Sequence, residues 1–178
     1  MRNHGNDLRI RVRYSDALAG DRLRRRADRT RRVTDRAAKL EIWQRWWAVA
    51  ALACGSLWMT VSFVTIPDVM SQMIGFSRTP FEFEIAFANL GLAILGFRAV
   101  HASARERITI GLGAGMFLWG ATIGHLYQWF ANGDHAPGNG GGVLVYDVLI
   151  PAVMIILAVR STKMTTEHAN ELQLSGSN

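Results

Sequence analysis

The sequence predicts an all-α membrane protein, a four-transmembrane-helix up-and-down bundle with a basic, partly helical cytoplasmic N-terminal arm. Three observations carry this. Apolar runs with almost no charge recur at 46–66, 81–97, 108–130 and 143–159, and the connections between them are short. Basic residues crowd the first 45 positions, which hold 14 of the 20 Lys/Arg. The basic residues outside that arm fall almost entirely on one side of the four runs.

The first run, WWAVAALACGSLWMTVSFVTI, has 21 residues without a charge and is closed by Pro67 and Asp68. At about 1.5 Å per residue it is roughly 31 Å long, enough to cross the hydrocarbon core of a bilayer. The other runs extend this to helices of about 46–66, 81–100, 108–130 and 143–160. The domain organisation read from this is a basic arm over 1–42, a four-helix membrane domain over 43–161 and a flexible tail over 162–178. Short connections favour antiparallel neighbours. Gly113, Gly120 and Gly124 share one stripe of the third helix, where small residues let a neighbouring helix approach closely.

Charge sets the orientation. Residues 1–45 carry a net +8 (14 basic, six acidic), and residues 46–178 a net −2 (six basic, eight acidic). The arm together with Arg98, Arg105, Arg107, Arg160 and Lys163 puts 19 Lys/Arg on one side, against Arg78 alone on the other. The positive-inside rule then places both termini in the cytoplasm and the chain, multi-pass, in the cell (cytoplasmic) membrane. Within the arm, Leu18, Leu23, Ala27, Val33, Ala37 and Leu40 form a thin apolar stripe from about Ser15. That pattern suits a helix lying on the inner surface with its arginines on anionic headgroups. Membrane lipids are thus the expected partners, alongside a homo-oligomer or a second membrane protein. Nucleic acid is disfavoured because no recognised fold accompanies the charge. The apolar stretch begins 45 residues in, is too long for a signal core and has no small-residue cleavage site nearby, which speaks against a secretory signal. Cys54, the single cysteine, has no neighbours of a zinc or redox motif.

Polar residues inside the apolar runs are the candidate site. The run FEFEIAFANLG carries Glu82, Glu84 and Asn89. Glu84 lies about one turn below the outer end of its helix, His125 roughly 25 Å along an outward-running helix, and Asp147 about 6 Å below the start of the last helix. Three ionisable groups on three helices therefore meet at one level beneath the outer face. Ionisable groups at such depth face the bundle interior and pair with one another. Glu82 and Asn89, seven apart, nearly share a face, and Glu84 points well away from it. One glutamate can then face inward while the other sits in the headgroup layer; the reading puts Glu84 inside and Glu82 outside. Pro151 lies four residues after Asp147 and cannot donate to its carbonyl. Glu82, Gln128, Asp134 and His135 are outer-face contributors. The loop ANGDHAPGNGGG has no Lys and joins two helices, so it lacks the context of a phosphate cradle. The His and carboxylates lack a metal-motif spacing, and no cofactor is implied.

The chain resembles an uncharacterised family of small bacterial four-helix membrane proteins, a domain of unknown function loosely DoxX-like in layout. The resemblance rests on Glu84-Ile-Ala-Phe87-Ala88-Asn89-Leu90, on Leu95-Gly96, on Phe117-Leu118-Trp-Gly120-Ala121-Thr-Ile123-Gly124-His125, and on Asp147, and covers 43–160. It implies Glu84, Asn89, His125 and Asp147 as the shared polar set, with Glu82 outside it. The basic arm and the Pro137-Gly138-Asn139 loop depart from the pattern.

The functional reading is a structural or accessory membrane component of unknown activity, its helices tied by that cluster. The alternatives are a small transporter or proton-linked carrier using the cluster, and a membrane enzyme acting on a lipid or quinone. No nucleophile or phosphate motif supports the enzyme.

Overall fold

The structure is a computed structural model that describes residues 4–176; the side chains of residues 4–23, 26, 168, 171, 172, 175 and 176 lie outside the description. Leu18 and Leu23 of the expected arm stripe fall among those. The described residues are helical nearly throughout. In order they form α1 (His4–Trp46), a π-helical stretch (Trp47–Ala53), α2 (Cys54–Thr65), α3 (Pro67–Met73), α4 (Phe81–Ala99), α5 (Ala104–Ala131), a 3₁₀ turn (Pro137–Asn139) and α6 (Gly142–Gly176). Three segments are long and apolar enough to cross a membrane: Ala27–Thr65, Ala104–Ala131 and Pro137–Glu167.

Two compact units divide the chain between Lys39 and Leu40. In the first, Thr34 donates to the Thr30 carbonyl and Arg32 pairs with Asp28 at 2.8 Å. Exposed pairs one turn apart support a helix by only about 0.3–0.5 kcal/mol.

In the second unit, local chemistry sets the helix ends. Pro67 opens α3, at a position where its missing N–H costs nothing. Ser103 and Glu106 form a capping box, which starts α5 at Ala104 and so includes Arg105, Glu106 and Arg107 in its first turn. Pro151 stands inside α6, yet the helix continues. Trp47 Nε1 donates to the Ile150 carbonyl and Trp119 Nε1 to that of Val148, so two indoles serve carbonyls beside the proline. Beyond Pro151 no proline or glycine intervenes before Gly176, and the stretch expected as a tail is helical to that residue.

The helices pair antiparallel. On α4, Gly96 lies against Ala53 and Ala86 packs with Phe63, so α4 runs opposite to the π-helical stretch and α2. On α5, Gly111 meets Ile155 and Trp119 reaches Val148, so α5 and α6 are opposed. Trp47 reaches Ile150 and the Tyr146 hydroxyl donates to the Ala51 carbonyl, which opposes α6 to the first apolar run.

Size is distributed inside out. Ala48, Ala53, Ala86, Ala93, Ala99, Ala114 and Ala158 are buried, whereas Trp58, Phe87, Ile94, Met116, Ile123 and Phe130 are exposed. Small residues inside and bulky apolar ones outside are the arrangement of helices packed within lipid.

One correction concerns the glycines. Gly113, Gly120 and Gly124 are exposed, and a Cβ on any of them would meet nothing within 4 Å. Their stripe faces away from the buried face of α5, which is Ile110, Ala114, Leu118 and Thr122. Close helix approach occurs instead at Gly96.

Candidate functional site

At the end of the helices where α5 gives way to α6, the connecting loop turns toward the interior. Gly133 and Gly141 adopt positive φ (both 66°), and Asp134 Oδ1 accepts from the Ala136 N–H at 3.0 Å, closing a tight Asx turn. The 3₁₀ turn that follows brings Gly138 so near the Met73 carbonyl that a Cβ would lie 2.6 Å from it. Asn139 is thereby driven into the interior and is completely buried. Its Nδ2 donates to the carbonyls of Ile74 (3.0 Å) and Asp134 (3.4 Å), and its Oδ1 faces His125 Nδ1 at 2.9 Å. Because the amide nitrogen is committed to two carbonyls, Oδ1 is the atom turned to the imidazole, and Nδ1 must carry the proton. The Nε2 of a neutral ring is then an acceptor.

Asp147 is 6 % exposed and accepts no hydrogen bond among the described residues, but it interacts electrostatically with His125. Among the described residues every completely occluded side-chain nitrogen or oxygen has a partner, so the carboxylate oxygens of Asp147 border accessible space. His125 and Asp147 stand on the packed helices α5 and α6, and the residue that touches the His125 ring is Asn139, which the sequence does not single out. Its turn had been set aside as a departure from the family pattern. Asp134 joins through its backbone carbonyl, while His135 stacks edge-on against Trp129 with ring centroids 4.5 Å apart. The Gln128 side chain accepts from the Asn132 amide at 2.6 Å, an exposed contact, and its backbone carbonyl accepts from the Asp134 N–H at 3.0 Å.

The glutamates are placed the other way round from the expectation. Glu84 is exposed. Glu82 is buried, accepting from Ser71 Oγ at 2.6 Å and from the Thr79 N–H at 2.9 and 2.8 Å to its two oxygens. The reason is helical phase: Glu82, Ala86, Asn89, Ala93 and Gly96 form one stripe against the first apolar run, and Glu84 lies off it. Asn89, though buried, donates to its own helix at the Ile85 carbonyl (3.0 Å) and is not joined to His125. Glu84 and Asn89 therefore leave the cluster.

A second buried polar centre sits at the opposite end, around Arg107, which the sequence suggests only as one of the basic residues that set orientation. Arg107 is 1 % exposed. Its Nε donates to the Ala99 carbonyl at 2.8 Å and its Nη2 to the Val100 carbonyl at 3.1 Å. Nη1 and Nη2 hold the two Glu41 oxygens at 2.6 and 2.8 Å, and Nη1 also reaches Gln44 Oε1 at 3.1 Å. One guanidinium thus ties the end of α1 to the α4–α5 turn. A signal was present: Arg107 is three residues before Ile110 and seven before Ala114, on the face that turns inward.

Among the described residues no group of three His, Cys, Asp or Glu side chains could hold a metal ion. No curated protein and no solved structure matches the chain. A family of unknown function does match, over residues 17–167.

Proposed function

The chain belongs to this family of unknown function, DUF6790, and we propose that it is a four-span integral membrane protein with a structural or accessory role. Three segments qualify as spans on length and composition. For a fourth, α4 is supported by its level: it lies along the first span from Phe63 to Ala53. Its charges, Glu82, Glu84 and Arg98, sit at its two ends. With both termini cytoplasmic, the arm's arginines would meet anionic headgroups and the His125 cluster would lie under the outer face.

The observation that carries the accessory reading is Asn139. It is fully buried, and its carbonyl and amide are consumed by contacts to α5, to the α3–α4 connection and to its own loop. A polar group whose capacity is spent inside the protein closes a bundle and leaves nothing for a substrate. In purified protein in detergent, Asn139→Ala should lower the unfolding free energy by about 1–3 kcal/mol, because it strands buried partners. His125→Ala should cost less, and the double variant less than the sum of the two. Variants as stable as the wild type would overturn the structural reading. The cluster would then be kept for activity, and the carrier reading, which the unpartnered Asp147 favours, would take its place.

A further inference from the structure

Trp119 lies opposite Val148, so His125 stands six residues farther along α5 toward the outer end and Asp147 one residue farther along α6. The two are offset by about 8 Å along the bundle axis. Side chains lean toward the N-terminus of their own helix, which is inward for α5 and outward for the opposed α6. His125 and Asp147 therefore lean toward each other across that gap.

What faces the gap is two acceptors. Asn139 holds the His125 proton on Nδ1, leaving the Nε2 lone pair, and no described residue donates to Nε2. No described residue donates to the Asp147 carboxylate either, although the residue is 94 % buried (6 % exposed). Hydrogen-bonding groups nearby are engaged elsewhere. The Tyr146 hydroxyl donates to the Ala51 carbonyl, and the Asp134 carboxylate accepts from Ala136. The His135 ring packs on Trp129, and the Glu82 carboxylate takes Ser71 and Thr79. Two acceptors, one of them a carboxylate bordering accessible space, suit a ligand that is positively charged and carries several N–H donors. Burying the carboxylate without such a partner costs several kcal/mol.

We propose that His125 Nε2 and the Asp147 carboxylate bind a primary ammonium group, either a free ammonium or alkylammonium ion or the headgroup amine of an ethanolamine lipid. One donor would go to Nε2 and the others to the carboxylate, with no bond made or broken. A metal is the weaker fit, since only one nitrogen and one carboxylate converge. The lipid source depends on the membrane placement proposed above, but the soluble source does not.

The test uses the full chain in phosphatidylcholine nanodiscs, whose quaternary headgroup has no N–H. Melting temperature and the ¹⁵N resonance of His125 Nε2 are followed on adding ammonium, methylammonium, tetramethylammonium or sodium chloride at equal ionic strength. A parallel series replaces part of the lipid with phosphatidylethanolamine. The expected result is that ammonium or methylammonium, or the ethanolamine lipid, raises the melting temperature and moves Nε2, while tetramethylammonium and sodium do neither. Asp147→Asn should abolish the response. A response to the salts identifies a soluble ligand, and a response to the lipid alone identifies a headgroup. Equal effects of all four salts with an unmoved Nε2 in both lipid series overturn the proposal. Should Asp147→Asn fail to fold, the wild-type resonance decides the matter.

Discussion

Arg107→Ala should lower the unfolding free energy by about 3 kcal/mol, the low end of the range for breaking a buried ion pair, because Glu41 is 38 % exposed and keeps Arg45. The guanidinium is 1 % exposed and its donors go to Glu41, Gln44 and the carbonyls of Ala99 and Val100. Alanine leaves Gln44 Oε1 and the carbonyls of Ala99 and Val100 without this donor, leaves Glu41 only Arg45, and opens a cavity between α1 and the α4–α5 turn. Arg107→Lys should recover less than half of the loss, because three donors on a point charge cannot reproduce a five-donor fork. The triple variant Arg107→Met/Glu41→Leu/Gln44→Leu should recover most of it, since apolar replacement of a whole buried polar set is often neutral. Denaturant titrations in detergent, followed by tryptophan fluorescence, give these values. A loss below 1 kcal/mol for Arg107→Ala would mean that water or lipid headgroups replace the guanidinium at little cost.

The same pair has an acid limit. Glu41 stands five residues before Trp46, where the uncharged run begins. Hydrogen bonds from Arg107 hold its carboxyl down at about 2, with Arg45 adding to the effect against the opposing cost of burial. A carboxyl lowered in the folded state contributes stability that is fully present above its ordinary value of about 4.5 and is lost as pH falls toward 2. Protein carrying Glu41→Gln should therefore show a flatter decline in stability between those pH values than the wild type.

Gly96→Leu is the second large effect. A Cβ at Gly96 would lie 2.6 Å from the Ala53 nitrogen and 2.8 Å from its Cα and Cβ, so the obstacle is backbone. The helices must separate to admit the side chain, and overpacking of this kind costs about 3 kcal/mol or more. Gly124→Leu is the matched control. Its Cβ meets nothing within 4 Å, so the change should stay within about 0.5 kcal/mol for the isolated chain. Should Gly124→Leu prove as damaging as Gly96→Leu, a second helix must cover that face, and a homo-oligomer would be the first partner to seek by crosslinking in membranes.

These two glycines show where the sequence was legible and where it was not. Length and absence of charge are properties of a segment. The helical class, the apolar runs, the breaks at Pro67 and the Gly-rich loop, and the charge asymmetry of the arm could all be read from residues 1–178 directly. Position along a single helix is also local, but packing sets the level between helices: the sequence places His125 and Asp147 at one level, and the α5–α6 register offsets them by about 8 Å. Rotation about a helix axis is another matter. A helix in water shows its inner face by hydrophobic contrast, but one surrounded by lipid is apolar on both faces. The runs gave no such contrast, so the glutamate taken as inner proved exposed and the glycine stripe proved to face outward. Arg107, an apparent loop charge, became a buried anchor once the capping box drew it into α5. Asn139, in a loop of no regular period, was carried inward by a turn whose destination depends on the Met73 and Ile74 backbone. Sequence alone determined which segments are helices and where along each one its polar groups lie. Tertiary packing decided which of those groups meet, because that depends on how neighbouring helices are turned toward one another.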